Sequence, residues 1–163
     1  VEALIKKGCK KILCLSITPS YISTIDDRIK GYTDSVEKHN LNLSDEFIVP
    51  INYNKIQEDT LSALKKMFFL HPDIDAIYTL NNNLAVATLK AFKDKSISKY
   101  YDKVQLACFD DIELFNLVDK PILSISQPVD DIGRNATLLT LDIIDGKKEN
   151  KSMIVLPTSL IVR

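Results

Sequence analysis

Residues 75–92 read DAIYTLNNNLAVATLKAF, and a change of period inside this stretch decides the fold class. Asp75–Leu80 is a short apolar run of strand length, Asn81–Asn83 break it, and a helical pattern then runs from Asn82 to Lys95. The same alternation extends outward on both sides. Strand-like runs are KKILCLSI (Lys10–Ile17), EFIVPI (Glu46–Ile51), VQLACF (Val104–Phe109) and ILSIS (Ile122–Ser126). Helical patterns cover Asp26–Asn40, Gln57–Leu70 and Val129–Asp145, the last placing Val129, Ile132, Ala136, Leu139 and Ile143 on one stripe. Strands alternating with helices predict an α/β fold, a parallel sheet with helices on both faces. Gly8 and Gly146 stand where a left-handed residue ends a helix, Pro72 stops a helix near His71, and Thr24 or Asp26 is positioned to cap the helix that follows. The tail departs from the alternation: SMIVLP (Ser152–Pro157) and TSLIVR (Thr158–Arg163) read as two consecutive strands split at Pro157.

Composition narrows the function classes. With 163 residues, 45% hydrophobic and 26% charged, the chain is long enough to bury a core without disulfides or metal. Lys and Arg number 21 against 22 Asp and Glu, so no charge excess points to nucleic acid or an anionic membrane. No apolar run reaches the roughly 20 residues of a membrane span, and Val1–Lys7 does not read as a signal peptide. Cys9, Cys14 and Cys108 lie inside apolar runs without a CxxC pair, the pattern of buried free thiols in a reducing cytosol. His39 and His71 form no ligand motif, so no metal is expected. The four glycines, Gly8, Gly31, Gly133 and Gly146, are too scattered to cradle nucleotide phosphates. No nucleophile elbow is present either.

In open parallel sheets, ligands bind outside the carboxyl ends of the strands. After the first run comes a polar loop through Ser20, Ser23 and Thr24 to Arg28, and after the second Asn52, Tyr53 and Asn54. After the third stand Asn81, Asn82 and Asn83, after the fourth Asp110 and Asp111, and after the fifth Gln127. Asn, Asp and Ser also serve as caps and turn residues; an Arg, an aromatic and a Gln are not called for by that role. A guanidinium fork, a carboxylate acceptor and amides suit a neutral ligand dense in hydroxyls or ring nitrogens, with Tyr53 as a flat wall. No paired cations favour a highly phosphorylated one.

The stretches LIKKGCKKILCL (Leu4–Leu15), RIKGY (Arg28–Tyr32), residues 75–92, CFDDIEL (Cys108–Leu114), ISQPVDDIGRNATLLTLDIIDG (Ile125–Gly146) and VLPTSLIVR (Val155–Arg163) together resemble the effector-binding region of the LacI/GalR transcriptional regulators. The resemblance runs nearly the whole length, and it is the order and spacing of the motifs that carry it. It implies a periplasmic-binding-protein-like type I fold, two lobes joined by three crossings with a small effector, a sugar, between them. Residues 1–125 and 158–163 then form the C-terminal lobe, and residues 126–157 belong with the N-terminal lobe, whose first half lies outside this chain. The helix Val129–Asp145 and SMIVLP are therefore expected to pack irregularly, to be mobile or to pair with a second copy. By the same resemblance Arg28, Asn81, Asp110 and Gln127 fall on effector-contacting positions, and Tyr53 on one that often carries an aromatic. The implied mechanism is allosteric rather than enzymatic and uses no cofactor. The implied partners are a small-molecule effector, a second copy in a homodimer, and operator DNA reached only through a helix-turn-helix domain outside this sequence. No membrane partner is implied, and the implied location is cytoplasmic.

The sequence departs from the family pattern in three places: Asn82 replaces a common Asp, Cys108 a usual Gly and Cys9 a usual His. Cys108 brings a Cβ near the rim, where it either narrows the pocket or packs inward. Two other readings stay open. One is an exported sugar-binding protein of the same fold; the other is an enzyme or phospho-receiver holding Mg²⁺ on Asp110 and Asp111. Arg28 pairing with Asp110 across the rim is a further, purely structural alternative.

Overall fold

Buried parallel strands require side chains apolar on both faces, and the runs around Leu13, Ile77, Leu106 and Ile122 meet that requirement. In the computed structural model, which describes residues 1–19, 23–147 and 153–163, these four residues stand opposite one another across adjacent strands. All are essentially inaccessible to solvent. The elements in chain order are α1 (Glu2–Lys6), β1 (Ile12–Thr18), α2 (Ser23–Lys38), β2 (Ile48–Asn52), α3 (Ile56–Leu70), β3 (Ala76–Thr79), α4 (Asn82–Ala91), β4 (Gln105–Phe109), β5 (Ile122–Ser126), α5 (Val129–Ile144) and β6 (Ser159–Ile161). Short 3₁₀ turns precede β2 at Asp45–Phe47 and follow β4 at Glu113–Leu117.

The six-stranded sheet has the order β2-β1-β3-β4-β5-β6. Its first five strands are parallel, and β6 returns antiparallel to β5 with Ser126 opposite Ser159. The chain runs outward from β1 to β2, then crosses back to β3 and continues the other way, so the order reverses between β1 and β3. Right-handed crossovers then place α2 on one face and α3 and α4 on the other. Aromatic contacts agree: Tyr32 of α2 stacks on Tyr78 of β3 and donates to the Ile12 carbonyl at 2.7 Å, whereas Phe68 of α3 stacks on Tyr100 with ring centroids 4.0 Å apart.

Gly8 (φ +93°) and Gly146 (φ +69°) end their helices in the left-handed region, as expected. All three cysteines are buried and free. Several boundaries differ from the sequence reading. The helix after β1 already includes Ser23, so Thr24 and Asp26 lie inside its first turn and do not cap it. The stretch read as the strand EFIVPI begins with a 3₁₀ turn, and α4 stops at Ala91 rather than Lys95. Residues 153–157, the described part of SMIVLP, form no strand, because a strand needs a ladder partner and among the described residues none lies beside them. Ser152 is outside the described residues.

α5 is the element set apart from the core. It is strongly amphipathic, yet none of its residues is buried, and Val129, Leu138, Leu141 and Ile144 are all more than half exposed. A cavity of about 620 Å³ separates Ile132, Ala136 and Leu139 from Met153–Leu156.

Candidate functional site

Because β1 to β5 are parallel, their carboxyl ends open on one rim, and the reversal between β1 and β3 leaves a crevice there. α2 enters from the far side of β1 and carries Arg28 toward this crevice. One guanidinium nitrogen of Arg28 donates to the Leu80 carbonyl at 2.6 Å, where β3 ends. The same nitrogen lies 3.6 Å from Asp110 Oδ2, and the guanidinium carbon sits 3.9 Å from the centre of the Phe109 ring. Asp110 Oδ1 accepts a hydrogen bond from Gln127 Nε2 at 2.5 Å. Side chains from α2, the residue following β4 and the residue following β5 thus converge: the structure brings Arg28, Asp110 and Gln127 together. The Arg28–Asp110 ion pair posed as a structural alternative is present in this arrangement.

Asp110 reaches its position through an unusual backbone, with φ +79°. Aspartate tolerates the left-handed region better than most residues, at a cost of about 1 kcal/mol. The neighbouring Asp111 faces elsewhere. Its oxygens lie 2.8 and 3.1 Å from the two terminal nitrogens of Arg163, and Ser124 Oγ donates to it at 2.6 Å. The hydrogen bond from Arg163, with help from Ser124, holds the Asp111 carboxyl below the usual carboxylate range against the opposing effect of partial burial. The adjacent carboxylates are therefore each matched to a different arginine rather than turned toward a shared cation.

The other two candidates behave differently. Asn81 Oδ1 accepts from the Leu84 amide at 3.0 Å and caps α4, so this rim residue has a structural duty whatever else it does. Replacing Asn81 with Ala is expected to cost about 1 kcal/mol, read as a lower urea midpoint with faster amide exchange confined to the first turn of α4. Tyr53 lies in a 3₁₀ turn after β2 and is 57% exposed. At roughly 4.8 Å per strand, β2 stands about 14 Å from β4, and the structure does not bring Tyr53 to the Arg28–Asp110–Gln127 cluster. Asn52 serves its own turn by accepting from the Asn54 amide. Ser20 lies outside the described residues.

Two participants were not singled out from sequence. Phe109, the last residue of β4, supplies the face on which Arg28 rests. Arg163, in the terminal segment, fixes Asp111 from 52 residues away. A cavity of about 670 Å³, lined by Thr24, Arg28, Tyr78, Phe109, Ile125 and Gln127 together with α1, runs from the rim along α2; its size is that of a small-molecule site. Cys108 packs inward, fully buried, and burial pushes its thiol up to about 12, so it neither narrows the rim nor supplies a thiolate. His39 follows α2 and His71 follows α3, both at the opposite end of the sheet from the rim. Donors, acceptors and an aromatic face therefore dominate the cluster.

The sequence matches the family described as periplasmic binding protein-like domain across residues 1–163. It is 27% identical to the ribose operon repressor of Halalkalibacterium halodurans, over 99% of this chain and 47% of that protein. It is 30% identical to the NTD biosynthesis operon regulator NtdR of Bacillus subtilis, over 100% of this chain and 49% of that protein. The chain thus spans about half the length of the curated relatives it matches. Among solved structures, a regulatory protein of the LacI family from Chloroflexus aggregans superposes with a TM-score of 0.85 at 25% identity, covering 99% of this chain and 57% of that one. The CelR–cellobiose complex superposes with a TM-score of 0.84 at 21% identity, covering 99% and 48%.

Proposed function

Because the chain belongs to the periplasmic binding protein-like domain family, we propose that it is the effector-sensing part of a LacI-type transcriptional regulator and that its effector is a sugar. The observation that carries this reading is the convergence of Arg28, Asp110 and Gln127 on the rim of the parallel strands. Two of its relatives point the same way: one is named a ribose operon repressor and another was solved with cellobiose. In this reading Asp110 accepts from neighbouring sugar hydroxyls, Arg28 and Gln127 donate to ring or hydroxyl oxygens, and Asn81 adds an amide at the edge. Tyr53 contacts the ligand only if the turn after β2 moves inward.

Residues 1–125 and 158–163 act as the C-terminal lobe, while residues 126–157 belong with a second lobe. The wholly unburied stripe of α5 and the unpaired residues 153–157 support that division. The regulator works in the cytoplasm as a homodimer, and operator DNA is held by a helix-turn-helix domain outside this sequence. An effector shifts DNA affinity only by binding one lobe arrangement better than the other. No helix among the described residues is long and apolar enough to cross a membrane.

A thermal-shift screen of pentoses, hexoses, disaccharides and purine nucleosides, run on this chain and on the longer regulator chain, tests the proposal. A sugar at 100 times its Kd is expected to stabilise the binding-competent chain by about 2.7 kcal/mol, a rise in Tm of roughly 5–10 °C for a domain of this size. Shifts with purines alone would reassign the effector class, and no shift with any compound would withdraw the sugar reading.

A further inference from the structure

The left-handed backbone at Asp110 needs something to hold it, because a residue in that region persists only where its surroundings over-determine it. On one side Asp110 is fixed by Phe109, part of the β4 ladder, with Phe109 paired to Ile125. On the other side it is fixed by Asp111, gripped by the planar fork of Arg163 at 2.8 and 3.1 Å. The grip is itself tied down. Nη1 of Arg163 also donates to Ser124 Oγ at 2.9 Å and Nε to Asn116 Oδ1 at 2.7 Å, while Ser124 is buried in β5. One guanidinium thereby links the segment after β6, the middle of β5, the 3₁₀ turn after β4 and the residue adjoining the rim carboxylate.

We infer that Arg163 is a positioning residue for the rim: by clasping Asp111 it keeps Asp110 in the left-handed conformation that aims its carboxylate at Gln127 and Arg28. It does not touch a ligand at the rim; it acts through the peptide between residues 110 and 111. β5 and β6 pair at Ser126 and Ser159, the points where the chain leaves for α5 and returns. The clasp therefore ties the rim to both of these crossing strands. Its importance for sensing rests on the proposal that the rim is the effector site.

The test is made on the free protein by NMR, following the side-chain amide of Gln127 and the intraresidue Hα–HN NOE of Asp110, which is strong where φ is positive. Arg163→Gln and Asp111→Asn break the clasp from opposite ends. Both are expected to move the Gln127 amide toward its solvent-exposed position and to weaken the Asp110 NOE toward that of an unstructured peptide. Arg163→Lys, which keeps the charge and loses the fork, is expected to fall between them and wild type. Leu160→Ala, which loosens β6 without touching the clasp, is expected to lower Tm and leave both signals in place. If Arg163→Gln and Asp111→Asn lower Tm while both signals keep their wild-type values, the clasp is only structural and the inference fails. Should the ligand screen fail while these signals move as expected, the effector reading falls and the positioning role stands.

Discussion

Ile77→Ala is expected to remove about 2–5 kcal/mol of stability, one of the two largest effects anticipated for this chain. Ile77 lies at the centre of β3, between Leu13 and Leu106, with no exposed surface. β3 is flanked by strands on both sides and covered on both faces, so the surrounding side chains can collapse only slightly into the space left. Against a total of about 5–15 kcal/mol for a typical domain, that loss brings the protein close to unfolding at growth temperature. Urea denaturation would show it as a lower midpoint with an unchanged slope. Val129→Ala is the matching control, since Val129 is 68% exposed and its truncation is expected to stay within about 0.5 kcal/mol. A large effect at Val129 and a small one at Ile77 would mean that the core is not where the sheet register places it.

The second large effect concerns recognition rather than stability. Asp110→Gly removes the carboxylate but supplies the residue best suited to φ +79°. Relief of about 1 kcal/mol of backbone strain only partly offsets the greater flexibility glycine gives the unfolded chain, the loss of the charge-assisted hydrogen bond from Gln127 at 2.5 Å and the loss of the partly buried ion pair with Arg28 at 3.6 Å. Net stability is expected to fall by about 1–2 kcal/mol, which leaves the fold intact. Ligand binding is expected to suffer more. Hydrogen bonds to a charged group contribute about 1.5–3 kcal/mol each, so losing an acceptor of two hydroxyls corresponds to at least about 100-fold in Kd. Asp110→Asn, which also tolerates the left-handed region and keeps one acceptor, is expected to lie between. Calorimetric titration of each variant with the stabilising sugar provides the check. Unchanged affinity in Asp110→Gly would remove Asp110 from the site.

The contrast between these predictions explains what the sequence made legible. Strand interiors were readable because burial on both faces demands continuous apolar runs, and those runs are local. The end of α4 was not, because Asp94 Oδ1 accepts from both the amide and the hydroxyl of Ser96 at 2.9 and 2.5 Å, a side-chain turn that competes with the helix. SMIVLP has the composition of a strand, but composition carries no information on whether a neighbouring ladder exists. At the rim, Arg28, Asp110 and Gln127 were legible because the carboxyl end of a parallel strand is a place defined by sequence order. Tyr53 sits at such an end as well; what order does not reveal is that β2 lies on the sheet edge, far from β4. Phe109 reads as one more core aromatic until its ring is seen beneath a guanidinium. The partners of Arg163 lie 39 to 52 residues back along the chain, and one sequence holds no record of such pairings.

That last separation has a consequence for how the molecule is made. Synthesis proceeds from the amino terminus, and domains condense as the chain emerges. The five parallel strands are complete once Ser126 has left the ribosome, while Arg163, 37 residues further along, has yet to emerge and grip Asp111. A nascent chain therefore passes through an interval in which the sheet is built but its arginine latch is missing, and a polypeptide released early would carry the core without the latch.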